Sequence, residues 1–493
     1  MNYQTKGDNR RSAFIALIII IWVGVAFRFR GLFANTFHAD EALFATWARL
    51  IAVWRDPLLL TQAVDKPPLP FYLQSMFYPL FGPVEWAARM PAFIASLLLI
   101  PLTAQLARRL TGDRVVGLLA AFFVAVAPLA IQFSATAFTD PLLTFWLVAA
   151  LYSIAAPGMR QGSPRPLLAG LLFGLAMATK YQALLFAPLV VGIGWLSGRR
   201  RGEWFFWAAG LGFVLLPLLA WQWSRPEAVG LVALQWANIG GIRPARSWEL
   251  WPRALDTIRL WWLALGWPLV VGGGLVFGGF IWARRGRARS LPMDALLLLF
   301  VLGYVLLHWL WAVPMWDRYL LPILPLVAIL WGRAVVAVGS AVRRHGSARK
   351  AFAVIMLAVI SLSISSGLAA RVGQYPIGGQ PQADGGASII AQLLKDAPYG
   401  TVLYDHWYSW HWNYQLFNGR VFVSWFPHAD ALVKDLAVFA GDGSDRYIAL
   451  PASAVGSPIG RHLSDSGYVL ERVSDQSEAA NVTLYRILIR ESD

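Results

Sequence analysis

The residues of this chain best suited to chemistry are charges set in apolar surroundings. Asp40 and Glu41 stand together in "FHADEALFATWARL", and Asp65 and Lys66 open "DKPPLPFYLQ". Asp140 lies in "SATAFTDPLLTFWL", Lys180 and Tyr181 in "AMATKYQALL", and Asp317, Arg318 and Tyr319 in "PMWDRYLLPILP". A positioned carboxylate can take a proton from a hydroxyl, while Lys and Arg hold phosphate oxygens. Three or four carboxylates with two lysines and one arginine therefore suit phosphate binding combined with proton abstraction. They suit a uniform pore poorly.

Each group also has a plain structural alternative. "ADEALFATWARLIAVW" places Ala42, Phe44, Ala45, Ala48 and Ile51 at helical spacing, as in an amphipathic helix lying on a membrane surface. Asp40 would then be its N-cap and Glu41 a favourable charge at the helix dipole. Lys66 precedes two prolines that stiffen the backbone, so it could belong to a rigid connector. Thr139, Asp140 and Pro141 read as a helix start. Lys180 and Arg318 could snorkel to headgroups.

The elements that must position these groups are membrane helices. Of 493 residues, 57% are hydrophobic and 14% charged. Mean hydropathy is +0.53. Apolar runs near bilayer-spanning length recur from residue 13 to about 370. About eleven spans are expected, at 13–30, 87–107, 114–135, 139–156, 166–179, 182–197, 204–222, 258–282, 291–312, 319–339 and 351–369. The first reads as a retained span rather than a cleaved signal peptide, because Arg28 and Arg30 follow it and no small-residue cleavage site does.

With the N-terminus inside, alternation sends Arg108/Arg109, Arg160/Arg165, "GRRRGE", "RRGRAR" and "RRHGSARK" to the cytoplasmic side. Asp40, Glu41, Asp65, Asp140 and Asp317 then fall outside. Asp113, Glu203 and Asp294 fall inside as solvated loop charges. The net charge of +15 is explained by this topology, so no nucleic-acid partner is expected. The chain has no cysteine, which excludes disulfides and thiolate chemistry.

After a Gly/Pro/Gln-rich linker near 371–386, short strands alternate with two helical segments, "ASIIAQLLKDA" and "HADALVKDLAVFAG". The expected organisation is a membrane domain over 1–370, including an outer loop 31–86 with amphipathic helices, and a small extracytoplasmic α/β domain over 371–493. In "YDHWYSWHWNYQLF", Trp407, Trp410 and Trp412 offer a sugar platform or an interfacial belt. His406 and His411 are off a common helical face and match no zinc motif, so no metal site is expected there. No cofactor is implied with certainty; a divalent cation at the acidic rim is left open. The "NVT" at 481 is a bare sequon.

An acid pair in the first outer loop, then Lys-Pro-Pro, Thr-Asp-Pro and Arg-Tyr-Leu-Leu-Pro, in this order, resembles the GT-C membrane glycosyltransferases. The nearest branch looks like the protein O-mannosyltransferases and the lipid A aminoarabinose transferases. The resemblance covers roughly residues 13–340 and implies transfer of a sugar from a polyprenyl phosphate to an acceptor at the outer face of the plasma (inner) membrane. By the same resemblance Asp40 matches the candidate general base, with Glu41 beside it and Asp140 the second acid. Lys66, Lys180 and Arg318 match donor-phosphate cations, with Asp65, Tyr181, Asp317 and Tyr319 supporting. Asp65 stands where the aminoarabinose branch often has Glu, and Tyr181 where many relatives have Gly. A single displacement would invert the anomeric centre. The acceptor could be lipid, glycan or protein. The rival reading is a transporter or flippase of lipid-linked or glycan substrates, which requires ionisable residues at mid-span; among these spans the sequence offers His308, near an outer end. A surface-glycan ligase or polymerase would use the same donor logic.

Overall fold

The computed structural model describes the chain except residues 1, 35, 156–163, 226–232, 235, 238–242, 268, 271–273, 275–290, 314–315, 344–345, 376–384, 409, 440–441, 452–457, 474–481 and 491–493. The "RRGRAR" cluster, most of the linker and the sequon's Asn481 thus lie outside the described residues. The chain forms two compact units. One comprises Met1–Ala34 and Leu50–Pro381, the other Asn35–Arg49 and Gln382–Asp493.

The first unit is helical. Its elements begin with α1 (Asn2–Ala34) and, after α2 (Ala39–Ala52), the short α3 (Leu69–Ser75) and α4 (Tyr78–Phe81). There follow α5 (Glu85–Thr111), α6 (Arg114–Val126), α7 (Pro128–Ser134), α8 (Asp140–Ile154), α9 (Arg165–Thr179), α10 (Ala187–Leu196) and α11 (Arg201–Trp223). The last four are α12 (Ser247–Leu265), α13 (Leu291–Leu310), α14 (Leu324–Val342) and α15 (Gly346–Arg371). Short 3₁₀ helices at Tyr181–Phe186 and Asp317–Ile323 lead into α10 and α14.

Among the described residues six helices are long and apolar enough to cross a membrane, or seven if the bent pair α6–α7 is one span. Asp140–Ile154, Arg165–Thr179 and Tyr181–Leu196 are apolar but shorter. The expected count of eleven is therefore not reached by length and composition. A 15-residue helix rises only about 22 Å, less than the ~30 Å hydrocarbon core, and the expected span 258–282 runs partly outside the described residues.

The bend between α6 and α7 is 60° and has a chemical cause. Pro128 has no N–H to offer the carbonyl of Val124, one turn earlier. Arg28, 1% exposed within α1, supplies it: its guanidinium donates to Val124 O and Ala125 O, both at 2.8 Å. Arg28 is thus a buried structural residue. Asp294, expected in a solvated loop, is also buried, and Arg333 donates to both of its oxygens at 3.1 and 2.9 Å. Low dielectric makes such pairing obligatory. Asp113 by contrast caps α6, accepting from Val115 N at 2.7 Å.

The second unit is built on a five-stranded sheet of order β2-β1-β3-β5-β4. Strands β1 (Val402–Asp405), β2 (Phe422–Trp425) and β3 (Arg446–Pro451) are parallel, while β5 (Val482–Ile489) runs antiparallel to β3 and to β4 (Tyr468–Arg472). Period-two alternation divides the core. Leu403 and Ala449 face a layer with Ile390 and Trp412, whereas Val402, Tyr404, Ile448 and Leu450 face Leu432, Leu436 and Leu463.

Candidate functional site

Helices α8 and α9 form an antiparallel hairpin of 15 residues each. Equal lengths bring the first residue of α8, Asp140, beside the residue that ends α9, Lys180. The Lys180 ammonium lies 2.6 Å from Asp140 Oδ1, with the Asp140 side chain 1% exposed and that of Lys180 13% exposed. Asp140 is in the first turn, yet its side chain is spent on Lys180 rather than on capping. The chain turns extended at Lys180 (φ −162°, ψ 135°) before the 3₁₀ helix, which directs the side chain away from the helix axis.

The same junction recurs at Arg318, near the start of the second 3₁₀ helix. Its guanidinium stands over the rings of Phe138, at 4.6 Å, and Trp316, at 5.5 Å. Asp317 Oδ1 accepts from Arg318 N at 2.7 Å. Tyr319 turns its ring under Lys180, 4.5 Å from the ammonium. Its carbonyl accepts from the Tyr304 hydroxyl at 2.8 Å, and Gln182 donates to that same hydroxyl. Tyr304 and Gln182 carried no signal in the sequence, because they act through a neighbour's backbone. Tyr181, expected as a supporting residue, begins the 3₁₀ helix after Lys180.

Lys66 pairs with Asp65 at 2.6 Å, both side chains partly accessible at 19% and 12%. The prolines after Lys66 start α3, from which Gln74 donates to Ala137 O at 3.0 Å, tying this loop to the one that precedes Asp140. Upstream, Trp54 and Leu59 are held at positive φ, 58° and 54°. That strain is held in place by Asp56, which accepts from Leu60 N and Thr61 N. Trp221 and Arg225 add donors to the Leu58 and Leu59 carbonyls, both at 3.0 Å.

Lys180 is the electrostatic centre of this group. Burial pushes its ammonium down to about 8; Asp140 opposes that, and the charges of Arg318 and Lys66 reinforce it. Three cations therefore share one region with the carboxylates of Asp65, Asp140 and Asp317.

Asp40 and Glu41 belong to the other unit, where two expectations are corrected. Helix α2 starts at Ala39, so Asp40 is not its N-cap. His38 caps it: His38 Nδ1 accepts from Asp40 N at 3.0 Å, and Glu41 Oε2 accepts from His38 N at 2.9 Å. This is a capping box, and Glu41 is its buried acid, 3% exposed. Nor does α2 offer one apolar face to lipid, for Ala42, Phe44, Ala45, Thr46, Trp47 and Ala48 are all buried. Within the unit Arg49 donates to Tyr414 O at 3.0 Å, and Phe37 packs edge-on against Tyr414.

Of the expected platform residues, Trp412 is corrected as well. It is 0% exposed in the sheet's core and cannot stack on a sugar. Trp407 packs partly buried on the opposite face, and Trp410 is 43% exposed. His406 Nδ1 bonds to Phe426 O at 2.8 Å. Among the described residues no group of three His, Asp or Glu is disposed to hold a metal.

The family of dolichyl-phosphate-mannose-protein mannosyltransferases matches residues 65–223, a stretch that contains Asp65, Lys66, Asp140 and Lys180. The chain is 27% identical over 352 residues to the undecaprenyl phosphate-alpha-4-amino-4-deoxy-L-arabinose arabinosyl transferase of Pseudomonas aeruginosa strain UCBPP-PA14, covering 66% of this chain and 60% of that protein. The transferase of the same name from Erwinia tasmaniensis is 29% identical over 193 residues, 38% of this chain and 35% of its own. The match thus spans about three-fifths or less of these relatives' length.

Among solved structures, ArnT from Cupriavidus metallidurans bound to undecaprenyl phosphate superposes with a TM-score of 0.62 at 15% identity, over 96% of this chain and 97% of that one. The archaeal oligosaccharyltransferase AglB from Archaeoglobus fulgidus, in complex with an inhibitory peptide and a dolichol-phosphate, gives 0.56 at 13%, over 91% and 70%. The fold is therefore that of the GT-C membrane glycosyltransferases.

Proposed function

We propose that this integral membrane protein is a glycosyltransferase that moves a sugar from a polyprenyl-phosphate donor to an acceptor hydroxyl at the outer face of the inner membrane. The observation that carries this reading is the gathering of Lys66, Lys180 and Arg318 in one region, each braced by a carboxylate or an aromatic ring. Support comes from the family match over 65–223 and from the bound undecaprenyl phosphate of the ArnT neighbour.

The cations neutralise the donor phosphate and stabilise it as it leaves. The acceptor oxygen attacks the anomeric carbon, its proton passes to a carboxylate, and the bond from that carbon to the phosphate oxygen breaks with its electron pair. One displacement of this kind inverts the anomeric centre. Asp140, buried against Lys180, serves to position that cation. We assign the base to Asp40, which is half-buried, and to Glu41, bound in the cap, a supporting role. That assignment rests on the order of motifs in the family. A flippase would instead need ionisable groups along a path. Of the buried ones within helices, Arg28 is bound to carbonyls, Asp294 to Arg333 and His308 to the Tyr304 carbonyl, and Arg89 is likewise partnered.

The test is sugar transfer by purified protein from candidate polyprenyl-phosphate sugars, with the product's anomeric configuration read by NMR. Asp40→Asn is expected to keep donor binding and to lower turnover about 100-fold or more. Turnover retained in Asp40→Asn removes Asp40 from the mechanism; a product with retained configuration removes the single displacement.

A further inference from the structure

At the far end of the first unit, a cleft of about 360 Å³ opens between α1, α5 and α6. Phe14, Leu17 and Leu118 form apolar walls, and Gln105, Arg108 and Arg114 supply polar ones. Its size falls in the range of small-ligand sites, roughly 300–1,000 Å³. The floor is closed by the tight approach of α5 and α6, where a Cβ on Gly117 would meet Ala104 O at 2.7 Å. Helix α5 has 27 residues with Arg108 in its last turn, so the cleft lies about a bilayer's thickness from the start of that helix at Glu85.

Helix electrostatics explain only part of its charge. Arg108, in the last turn of α5, suits the helix dipole. Arg114 is the first residue of α6, where a cation is disfavoured. The neighbouring Arg109 is occupied, donating to Tyr152 O at 2.5 Å and lying 3.5 Å over the Tyr152 ring. Arg108 and Arg114 make no ion pair or side-chain hydrogen bond with any of the described residues. Beside the cleft the lipid-facing side of α1 exposes Phe14 at 65% and Ile15 at 56%. Two guanidinium groups, an apolar wall and a bilayer alongside match an amphiphile with an anionic head.

We propose that this cleft binds an anionic phospholipid, its phosphate held between Arg108 and Arg114 and its acyl chains laid along Phe14, Leu17 and Leu118. The guanidinium forks fit phosphate oxygens two at a time, and the apolar wall selects a lipid over a free anion.

The experiment is native mass spectrometry of the full-length protein released from nanodiscs containing phosphatidylglycerol and phosphatidylcholine in equal amounts. Wild type is expected to retain phosphatidylglycerol about tenfold over phosphatidylcholine, with the preference lost in the double variant Arg108→Gln/Arg114→Gln. Arg108→Lys/Arg114→Lys, which keeps the charge, is expected to keep part of it and so controls for folding. Arg200→Gln/Arg201→Gln removes the same charge from the same end of the bundle and is expected to change nothing. Equal retention of the two lipids by wild type, an equal loss in the Arg200/Arg201 variant, or displacement by inorganic phosphate would each overturn the proposal.

Discussion

Lys180 offers a test in which binding and stability move in opposite directions with pH. Its ammonium titrates near 8 because burial outweighs the help of Asp140. A group with that value is about nine-tenths charged at pH 7 and about one-tenth charged at pH 9. If the ammonium grips the donor phosphate, affinity for undecaprenyl phosphate falls about tenfold between these pH values, since a phosphate monoester stays a dianion throughout. Stability takes the other sign. In the unfolded chain the lysine titrates near 10.5, so between about 8 and 10.5 the unfolded state binds more protons and stability rises with pH. Binding isotherms and thermal unfolding on the same samples from pH 6.5 to 9.5 separate the two trends. Lys180→Arg keeps its charge over this range and is expected to flatten the binding profile. Asp140→Asn removes the opposing partner and is expected to move the midpoint below that of wild type. An affinity that does not change from pH 7 to 9, or an unmoved midpoint in Asp140→Asn, refutes the assignment of Lys180 to the phosphate.

Other expectations follow from individual contacts. Lys66→Ala is expected to weaken donor binding by about 1.5–3 kcal/mol, as for a charged hydrogen bond, in the same isotherms. Unchanged affinity returns Lys66 to the role of a loop residue. Arg28→Met strips the donors from Val124 O and Ala125 O, at about 1–3 kcal/mol for each bare carbonyl; an unaltered unfolding midpoint would show that the bend does not depend on Arg28. Glu41→Ala opens the capping box and is expected to cost about 1 kcal/mol of stability, with far less loss of turnover than Asp40→Asn. In this cysteine-free chain, Asp430→Cys is expected to react with an impermeant thiol reagent in intact cells. Protection there would contradict an extracytoplasmic C-terminal domain.

The sequence by itself determined that this is a membrane protein and which types of residue stand at the region proposed to hold phosphate. Apolar runs declare membrane helices because a bilayer tolerates little else, and Lys66, Asp140, Lys180 and Arg318 stand out because charge is scarce among them. Their order also carried the family resemblance. The partnerships were decided only by the tertiary structure. Lys180 meets Asp140 because two equal helices fold back on each other, a distance of forty positions that no local pattern encodes. Arg28 sits inside the bundle because Pro128, at the start of α7, leaves the Val124 carbonyl bare. Asp40 and Glu41 are neighbours in sequence, yet only the cap geometry distinguishes them, with His38 taking the N-cap position that sequence preference assigns to Asp40. Trp412 looks like a surface aromatic until the sheet places it in a core layer. Composition and periodicity report which environment a residue favours; which partner satisfies it depends on contacts between distant segments, and these exist only in the folded chain.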